Sequence, residues 1–272
     1  MKDFQNRVRK TLDEIGRETL AYDETEFWMV ERIYQQIEDY ASEKELFNTA
    51  VALPLIRALH NGSHRKGTAV KDGHTYRLPY MIHCLRVCLM LIDLKLPFNK
   101  EDEDIVLAAA LCHDMIEDIP FANGGTEMMT LYHLDKRVYH TVRLVSKRKD
   151  FTLEEHQQYF DNIMNDRFAL MVKLSDRGNN VEDLYNMKIW KVHEYVEETR
   201  KYFFPMCDFG MKKFPELQEV LAILRDKMLT LTESAEALVI RYERKEYQML
   251  TKLEELREEN RRLTSILQEL EG

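Results

Sequence analysis

Hydrophobic side chains recur at helical spacing along most of this 272-residue chain. The first stripe consists of Phe4, Val8, Leu12 and Ile15. A second stripe follows in residues 27–37, and both indicate amphipathic helices whose apolar faces belong to the core. We find no convincing run of alternating apolar and polar positions, because the candidate at 142–145 is too short for a strand. With only 9 Gly and 6 Pro, the chain is predicted to be all-α.

A seven-residue periodicity marks the C-terminal part, which from about Met228 contains neither Gly nor Pro before Gly272. Its d positions are Met249, Leu256, Leu263 and Leu270, and its a positions are Leu253, Asn260 and Leu267. This pattern predicts a coiled coil, and a single Asn at an a position favours a parallel two-stranded register. We therefore expect a homodimer through this helix. Because the stripe spans only about three heptads, a helix folded back on the domain is the alternative.

Composition and charge narrow the class of protein. The chain has no signal peptide and no apolar stretch long enough to span a membrane, so we expect a cytoplasmic protein without membrane contact. A net charge of −9 argues against general nucleic-acid binding. The four cysteines fit buried thiols in a reducing compartment. We divide the chain into N-terminal helices at 1–50, a central helical domain at 51–225 and the C-terminal helix at 226–272.

The segment Leu107–Asp118, LAAALCHDMIED, carries the strongest chemical signal. It begins as an apolar run and ends in four ionisable side chains: His113, Asp114, Glu117 and Asp118. If the whole segment is one helix, Glu117 lies one turn beyond His113, and Asp118 one turn beyond Asp114. Burying several charges is costly unless they are paired or bind a metal. The segment therefore predicts either a cation site or an unusual salt-bridge network.

Further candidate ligands lie in two other apolar segments. His83 stands in YMIHCLRVCLML, and Asp176 ends the run FALMVKLSD. With His113 and Asp114 they make two imidazoles and two carboxylates, which suit a divalent ion such as Mn²⁺, Fe²⁺ or Zn²⁺. Each residue alone has an ordinary explanation, such as a core histidine or a local Asp176–Arg177 salt bridge. Their order along the chain is far more specific than any one of them.

The order H…HD…D is the signature of the HD superfamily of metal-dependent phosphohydrolases, which this chain resembles. The resemblance narrows to the alarmone hydrolases, meaning the hydrolase domains of RelA/SpoT proteins and their small stand-alone relatives. It covers roughly residues 50–215, in the same order as in that family. The segments that carry it are HNGSHRKG, LPYMIHCLRV, LAAALCHDMIEDIP, VRLVSKRKD and ALMVKLSDRGNNVEDL. The resemblance implies that residues 51–225 form an HD-domain helical bundle.

The activity implied by this resemblance is removal of the 3′-pyrophosphate from (p)ppGpp, a guanine alarmone nucleotide. His83, His113, Asp114 and Asp176 would hold the ion, most simply Mn²⁺, and Glu117 and Asp118 would orient or deprotonate its water. The residues expected to bind the substrate are Arg65, Lys66, Lys147, Arg177 and Asn180. Arg148 and Lys149 are expected to be ordinary surface charge. Fewer than sixty residues follow the resemblance, so we expect a hydrolase without a synthetase domain.

Three departures from the family pattern bear on the substrate. Residues 68–78 are an insert that forms either a lid or a reshaped nucleotide entrance, and Cys84 stands where the family has Pro. Glu182 and Asp183 replace a cation and a hydroxyl, and two acids disfavour a phosphate-rich substrate by repulsion. An adenine alarmone, a nucleotide 2′- or 3′-phosphate and a phosphodiester stay open as substrates. A nucleotide-sensing module that binds without cleaving is the third alternative.

Overall fold

The computed structural model describes residues 1–15, 27–60, 62–118, 133–147 and 150–271. For a few of these only the backbone is described, namely 27, 66, 67, 69, 118, 186 and 269–271. The described chain is a bundle of helices with a small antiparallel hairpin, and the predicted all-α class is confirmed. None of its described helices is both long and apolar enough to cross a membrane.

The described helices and strands are numbered in chain order. The helices are α1 (Lys2–Ile15), α2 (Glu31–Lys44), α3 (Phe47–Leu59), α4 (Met81–Asp93), α5 (Lys100–Cys112), α6 (Met115–Asp118), α7 (Lys136–Val145), α8 (Leu153–Asn165), α9 (Arg167–Glu182), α10 (Ile189–Glu198), α11 (Phe204–Lys213) and α12 (Gln218–Glu271). The strands β1 (His64–Lys71) and β2 (His74–Pro79) lie between α3 and α4. A π-helical turn at Thr199–Phe203 joins α10 to α11.

The centre of the bundle is formed by α4, α5 and α9, which pack on one another and are buried on nearly all faces. From Asp102 to Cys112, every residue of α5 is buried. A helix surrounded in this way has no polar face, which explains its long apolar run. The ends and middles of these three helices supply the candidate ligands, so the site is built on the most buried part of the fold.

Asp104, just after the first turn of α5, caps a neighbouring helix. The residue that precedes α3 is Leu46, which has no polar side chain for the free N–H groups of that helix. The Asp104 carboxylate accepts hydrogen bonds from the backbone N–H groups of Asn48 (2.9 Å) and Thr49 (2.8 Å). It also accepts one from the Thr49 hydroxyl at 2.8 Å. A buried acid of α5 therefore fixes the start of α3.

The two acids before Asp104 tie down other elements. Glu103 accepts a hydrogen bond from Lys44 of α2 at 2.8 Å. Asp102 pairs with Arg137 of α7 at 3.2 Å and with Arg167 of α9 at 2.6 Å. Acids on the first turn also interact favourably with the helix dipole. The N-terminus of α5 is thus joined by charge to the helices packed around it.

Residues 68–78 belong to a hairpin, which consists of β1, β2 and the turn between them. This hairpin was not predicted from the sequence. Asp72 and Gly73 both have positive φ (51° and 78°), as in the two-residue turns typical of hairpins. Lys71 pairs with His74, and Val70 with Thr75. Tyr76 packs edge-on against Trp28, with ring centroids 5.6 Å apart. The insert is therefore a two-stranded arm.

The last helix has a packed half and an exposed half. Its N-terminal half contacts α9, α10 and α11, and its last buried residue is Val239. From Ile240 to Gln268 every side chain is exposed. The alternative in which this helix folds back on the domain therefore does not describe residues 240–268.

Candidate metal-dependent active site

Two of the four predicted ligands lie on central helices, and the other two lie in the turn after α5. His83 is the third residue of α4, and Asp176 lies in the middle of α9. His113 and Asp114 lie in a turn, because α5 ends at Cys112 and α6 begins at Met115. Residues 107–118 therefore do not form the single helix that the predicted positions of Glu117 and Asp118 assumed.

The side chains of these four residues converge. Nε2 of His83 lies 3.2 Å from Nε2 of His113. The same His83 atom lies 3.4 Å from Asp114 Oδ2 and 3.1 Å from Asp176 Oδ1. Nε2 of His113 lies 3.2 Å from Asp114 Oδ2 and 3.7 Å from Asp176 Oδ1. Atoms about 2.1 Å from one ion lie roughly 3.0 to 3.4 Å apart at octahedral or tetrahedral angles, so the cluster fits a single ion.

Hydrogen bonds on the far side of each imidazole fix its orientation. Nδ1 of His113 lies 2.8 Å from the carbonyl oxygen of Ala110, and Nδ1 of His83 lies 2.7 Å from Oδ1 of Asn179. Oxygen acceptors require a proton on both Nδ1 atoms, which leaves the lone pairs on Nε2. Those lone pairs face the carboxylates. Metal-binding histidines in proteins are held in this way.

The carboxylates are also held by donors. Tyr80 donates to Asp114 Oδ2 at 2.7 Å, and Asn180 donates to Asp176 Oδ1 at 2.6 Å. Lys173 donates to the other oxygen of Asp176 at 3.0 Å. Burial alone would raise the pKa of Asp176, but the charge of Lys173 and the neighbouring imidazoles of His113 and His83 hold it well below its usual range. This carboxylate is therefore ionised at neutral pH.

The cluster favours positive charge at its centre. Burial lowers the pKa of His113, yet the charges of Asp114 and Asp176 raise it well above its usual range. Positive charge next to Nε2 of His113 is therefore stabilised by the two buried carboxylates. A divalent ion supplies such charge, and it binds the deprotonated Nε2, as metals do when they bind histidine. The donor set therefore fits a divalent cation in chemistry as well as in spacing.

Glu117 lines the cavity next to the cluster. Its Oε1 accepts a hydrogen bond from the backbone N–H of Lys147 at 2.5 Å. Withdrawal from water raises the pKa of Glu117 above its usual range, although the charge of Lys173 opposes the shift. A raised carboxyl pKa suits a residue that takes a proton from water. The side chain of Asp118, the second predicted catalytic residue, lies outside the described residues.

The cluster opens into a cavity of about 470 Å³. Five lysine or arginine side chains line it, namely Arg65, Lys147, Lys173, Arg177 and Lys191. Five carboxylates also line it, namely Asp114, Glu117, Asp176, Asp183 and Glu198. These charges balance, so a bound divalent ion would leave two positive charges in excess. With an ion bound, a cavity of this size and charge would suit a small anionic ligand.

Arg65 and Asn180 meet at one side of the cavity. Arg65 donates to Oδ1 of Asn180 at 2.8 Å, and Asn180 in turn donates to Asp176. Asp183 lies 3.7 Å from the Arg65 guanidinium and 3.8 Å from that of Arg86. The predicted substrate cation Arg65 therefore already faces an acid.

Arg177, Lys147 and Lys66 differ in their surroundings. Arg177 lines the cavity but is buried, pairs with Glu198 and lies 4.0 Å over the ring of Phe203. Its Nη1 has no hydrogen-bond acceptor within the part of the chain that the structure describes. Lys147 lines the cavity and binds Glu117 through its backbone. The side chain of Lys66, like all of 148–149, lies outside the described residues.

Sequence reasoning missed several residues of this site. Tyr80, Lys173 and Asn179 each bond to a predicted ligand, as described above. Lys173 had a signal, since it lies three residues before Asp176 on one helix face. The contact between Asn179 and His83 joins residues 96 apart in sequence, and no local pattern reveals it. Cys84 also offers its sulfur within 4.8 Å of ligand atoms of His113 and Asp114.

Comparison with known proteins finds one matching domain family and several relatives. The HD domain family matches residues 80–180, which include all four predicted ligands. Over 188 residues the chain is 26% identical to the bifunctional (p)ppGpp synthase/hydrolase SpoT of Escherichia coli K12, covering 66% of this chain and 24% of that protein. It is 24% identical over 178 residues to the guanosine-3′,5′-bis(diphosphate) 3′-pyrophosphohydrolase of Vibrio cholerae, covering 62% and 23%.

A third relative is named GTP pyrophosphokinase rsh, from Brucella abortus. It is 29% identical over 149 residues, which cover 53% of this chain and 19% of that protein. The matched region thus spans about a quarter or less of each of these relatives. The expected resemblance to the HD domain family is therefore confirmed over residues 80–180, and these relatives are similar to the chain around that domain.

Proposed function

We propose that this protein hydrolyses (p)ppGpp to GDP or GTP and pyrophosphate, with Mn²⁺ held by His83, His113, Asp114 and Asp176. The observation that carries the proposal is the convergence of these four side chains at a cavity lined by arginines and lysines. Two of the relatives reported above are named for hydrolysis of this nucleotide. The cavity chemistry and the names of the relatives therefore favour the same class of substrate.

The side chains divide the reaction between them. A bound divalent ion lowers the pKa of a water molecule and polarises a phosphoryl oxygen. Glu117, with Asp118 by resemblance, would orient or deprotonate the attacking water, whose oxygen would bond to the phosphorus next to the ribose 3′ oxygen. The P–O bond to the ribose breaks, and the 3′ oxygen takes up a proton. Arg65, Lys147, Arg177 and Asn180 hold the phosphates by charge-assisted hydrogen bonds, and Lys66 is assigned here by resemblance alone.

The experiment is ppGpp turnover with Mn²⁺, with products resolved by anion-exchange chromatography. Asp114→Ala and Asp176→Ala are measured beside the wild type, with thermal unfolding to check that both variants fold. We expect GDP and pyrophosphate from the wild type and none from the variants. Turnover in either variant at the wild-type rate refutes the site. Absence of turnover in the wild type refutes this substrate.

The runner-up is another phosphorylated nucleotide at the same metal site. The contacts of Asp183 favour it, since one acid compensates both Arg65 and Arg86 near the cavity. A panel of adenine alarmone, nucleotide 2′- and 3′-phosphates and phosphodiesters tests it. Pyrophosphate released from (p)ppGpp in preference to the adenine alarmone supports the first proposal. Orthophosphate alone, from a nucleotide monophosphate, supports the second.

We also propose that the exposed half of α12 pairs with a second copy of this chain. Leu253, Leu256 and Leu263 are 42%, 50% and 53% exposed, and a parallel pair would bury them. In that register Lys252 faces Arg257 of the other copy, and this repulsion weakens the pair at low salt. Sedimentation equilibrium should give a dimer whose affinity rises with salt, and Leu256→Lys should give a monomer. A wild-type monomer at every concentration refutes the pairing.

A further inference from the structure

We propose that Glu182 is a positioning residue, which holds the ring of His83 in its metal-binding tautomer through Asn179. This inference rests on the metal site of the proposed function, but not on the identity of the substrate. Sequence analysis treats Glu182 as a charge that repels phosphate. Glu182 is not among the described residues that line the cavity, and its contacts run to Asn179 and to α12.

The first step is the orientation of the Asn179 amide. An Asn side chain can turn either its oxygen or its NH₂ group toward a neighbour. Oε2 of Glu182 lies 3.1 Å from Nδ2 of Asn179, and a carboxylate only accepts hydrogen bonds. The NH₂ group must therefore face Glu182. The amide oxygen is left facing His83 at 2.7 Å.

The second step is the tautomer of His83. Because Oδ1 of Asn179 can only accept, Nδ1 of His83 carries the proton. Nε2 then presents its lone pair to Asp114, Asp176 and the ring of His113. If the amide were reversed, its NH₂ group would favour the opposite tautomer, with a proton on the atom that must bind metal. His83 and Asn179 are 2% and 1% exposed, so water is a poor substitute for this contact.

The third step is the ion pair with Lys227 that holds the carboxylate of Glu182 in place. Nζ of Lys227, on the packed half of α12, lies 2.5 Å from Oε1 of Glu182. The other carboxylate oxygen is the one that contacts Asn179. The side chains of Lys227 and Glu182 are 38% and 34% exposed, so the path runs from the surface to the buried ligand. Lys227 supports Glu182 but does not decide which way the amide turns.

The experiment measures Zn²⁺ and Mn²⁺ affinity by competition with a fluorescent chelator. Glu182→Met removes the acceptor, and we expect a Kd about 10- to 100-fold higher, as for other residues that orient a ligand. Glu182→Gln keeps an acceptor oxygen and should stay within about threefold of wild type. The metal Kd of Lys227→Met should also stay within about threefold of wild type. The matched control is Glu236→Met, which removes another ion pair between α12 and its neighbours, with Arg200.

A reversal of polarity gives the sharpest test. Asn179→Asp alone sets two carboxylates against each other and should weaken metal binding. Combined with Glu182→Gln, the new carboxylate accepts from both His83 and the Gln amide, so affinity should return. In ¹⁵N-labelled, Zn²⁺-loaded wild type, NMR should find the proton of His83 on Nδ1. The inference is overturned by wild-type affinity in Glu182→Met, by failure of the double variant to recover, or by a proton on Nε2.

The outcomes separate this inference from the proposed function. Wild-type protein that binds neither metal overturns both the site and the role of Glu182. Metal binding that follows the pattern above, without turnover of ppGpp, upholds the positioning role and refutes the substrate. Thermal unfolding of each variant identifies any that fails to fold, and the double variant then decides.

Discussion

Replacing Asp183 with Asn should tighten binding of a phosphate-rich substrate. Its carboxylate lies 3.7 Å from the guanidinium of Arg65 and 3.8 Å from that of Arg86. At such distances the gross attraction of one pair is about 4 kcal/mol at an effective dielectric constant of 20. The side chains of Asp183, Arg65 and Arg86 are 28%, 16% and 40% exposed. Exposed ion pairs contribute only about 0.2 to 1 kcal/mol net.

Asp183→Asn frees two such cations for phosphate and removes one charge that repels it. We therefore expect a gain of about 1 to 2 kcal/mol in substrate binding, which is roughly a 5- to 30-fold lower KM. The value of kcat should change little, since Asp183 bonds to none of the four predicted ligands in the described contacts. Because these charges are partly exposed, the gain should shrink as salt screens them.

The assay is steady-state hydrolysis of ppGpp at several salt concentrations. Asp13→Asn, which removes an exposed acid on α1, controls for the change in net charge. A KM that stays the same or rises at low salt refutes the reasoning. A rise would mean that Asp183 holds Arg65 in a useful position instead of competing with the substrate.

Three further predictions concern the base, the metal and the fold. Because the pKa of Glu117 is raised, kcat/KM should fall as pH decreases through that raised pKa. Glu117→Gln should lose about 10²- to 10⁴-fold activity at all pH values. If kcat/KM of that variant still falls at low pH as in the wild type, Glu117 is not the base. EDTA should lower the unfolding temperature, and Mn²⁺ at about 100 times its Kd should restore about 2.7 kcal/mol of the free energy of unfolding. Identical melting curves with EDTA and with Mn²⁺ would contradict metal binding. Asp104→Ala should lower the free energy of unfolding by about 2 to 4 kcal/mol, because the N–H groups at the start of α3 and the Thr49 hydroxyl lose their carboxylate acceptor. Urea denaturation measures this loss.

The direction of Glu182 was available from helix geometry. Successive residues of a helix are about 100° apart, so Asp176, Asn180 and Asp183 share one side of the α9 axis. Asn179 and Glu182 lie together on another side. Sequence analysis grouped Glu182 with Asp183 because they are neighbours in the chain, whereas their side chains face different partners. The sequence does not show that His83 and Lys227 contact the side of α9 that carries Asn179 and Glu182.

The hairpin was missed for a different reason. Strand prediction depends mainly on apolar side chains alternating with polar ones, which marks a strand with one buried face. Most of β1 and β2 is exposed, and Val70, the large apolar residue of β1, is 71% exposed. A strand without a buried face has little alternation to detect. The Asp72–Gly73 pair was the remaining signal, and it does predict a two-residue turn.

The break after α5 explains how neighbouring residues both reach the metal site. On a continuous helix His113 and Asp114 would point about 100° apart, whereas in the turn His113 Nε2 and Asp114 Oδ2 lie 3.2 Å apart. The same break leaves the last carbonyls of α5 without partners in the helix. One of them, on Ala110, accepts a hydrogen bond from His113 Nδ1, with 2.8 Å between the nitrogen and the oxygen. Ending the helix at Cys112 therefore brings the two ligands together and also sets the tautomer of one of them.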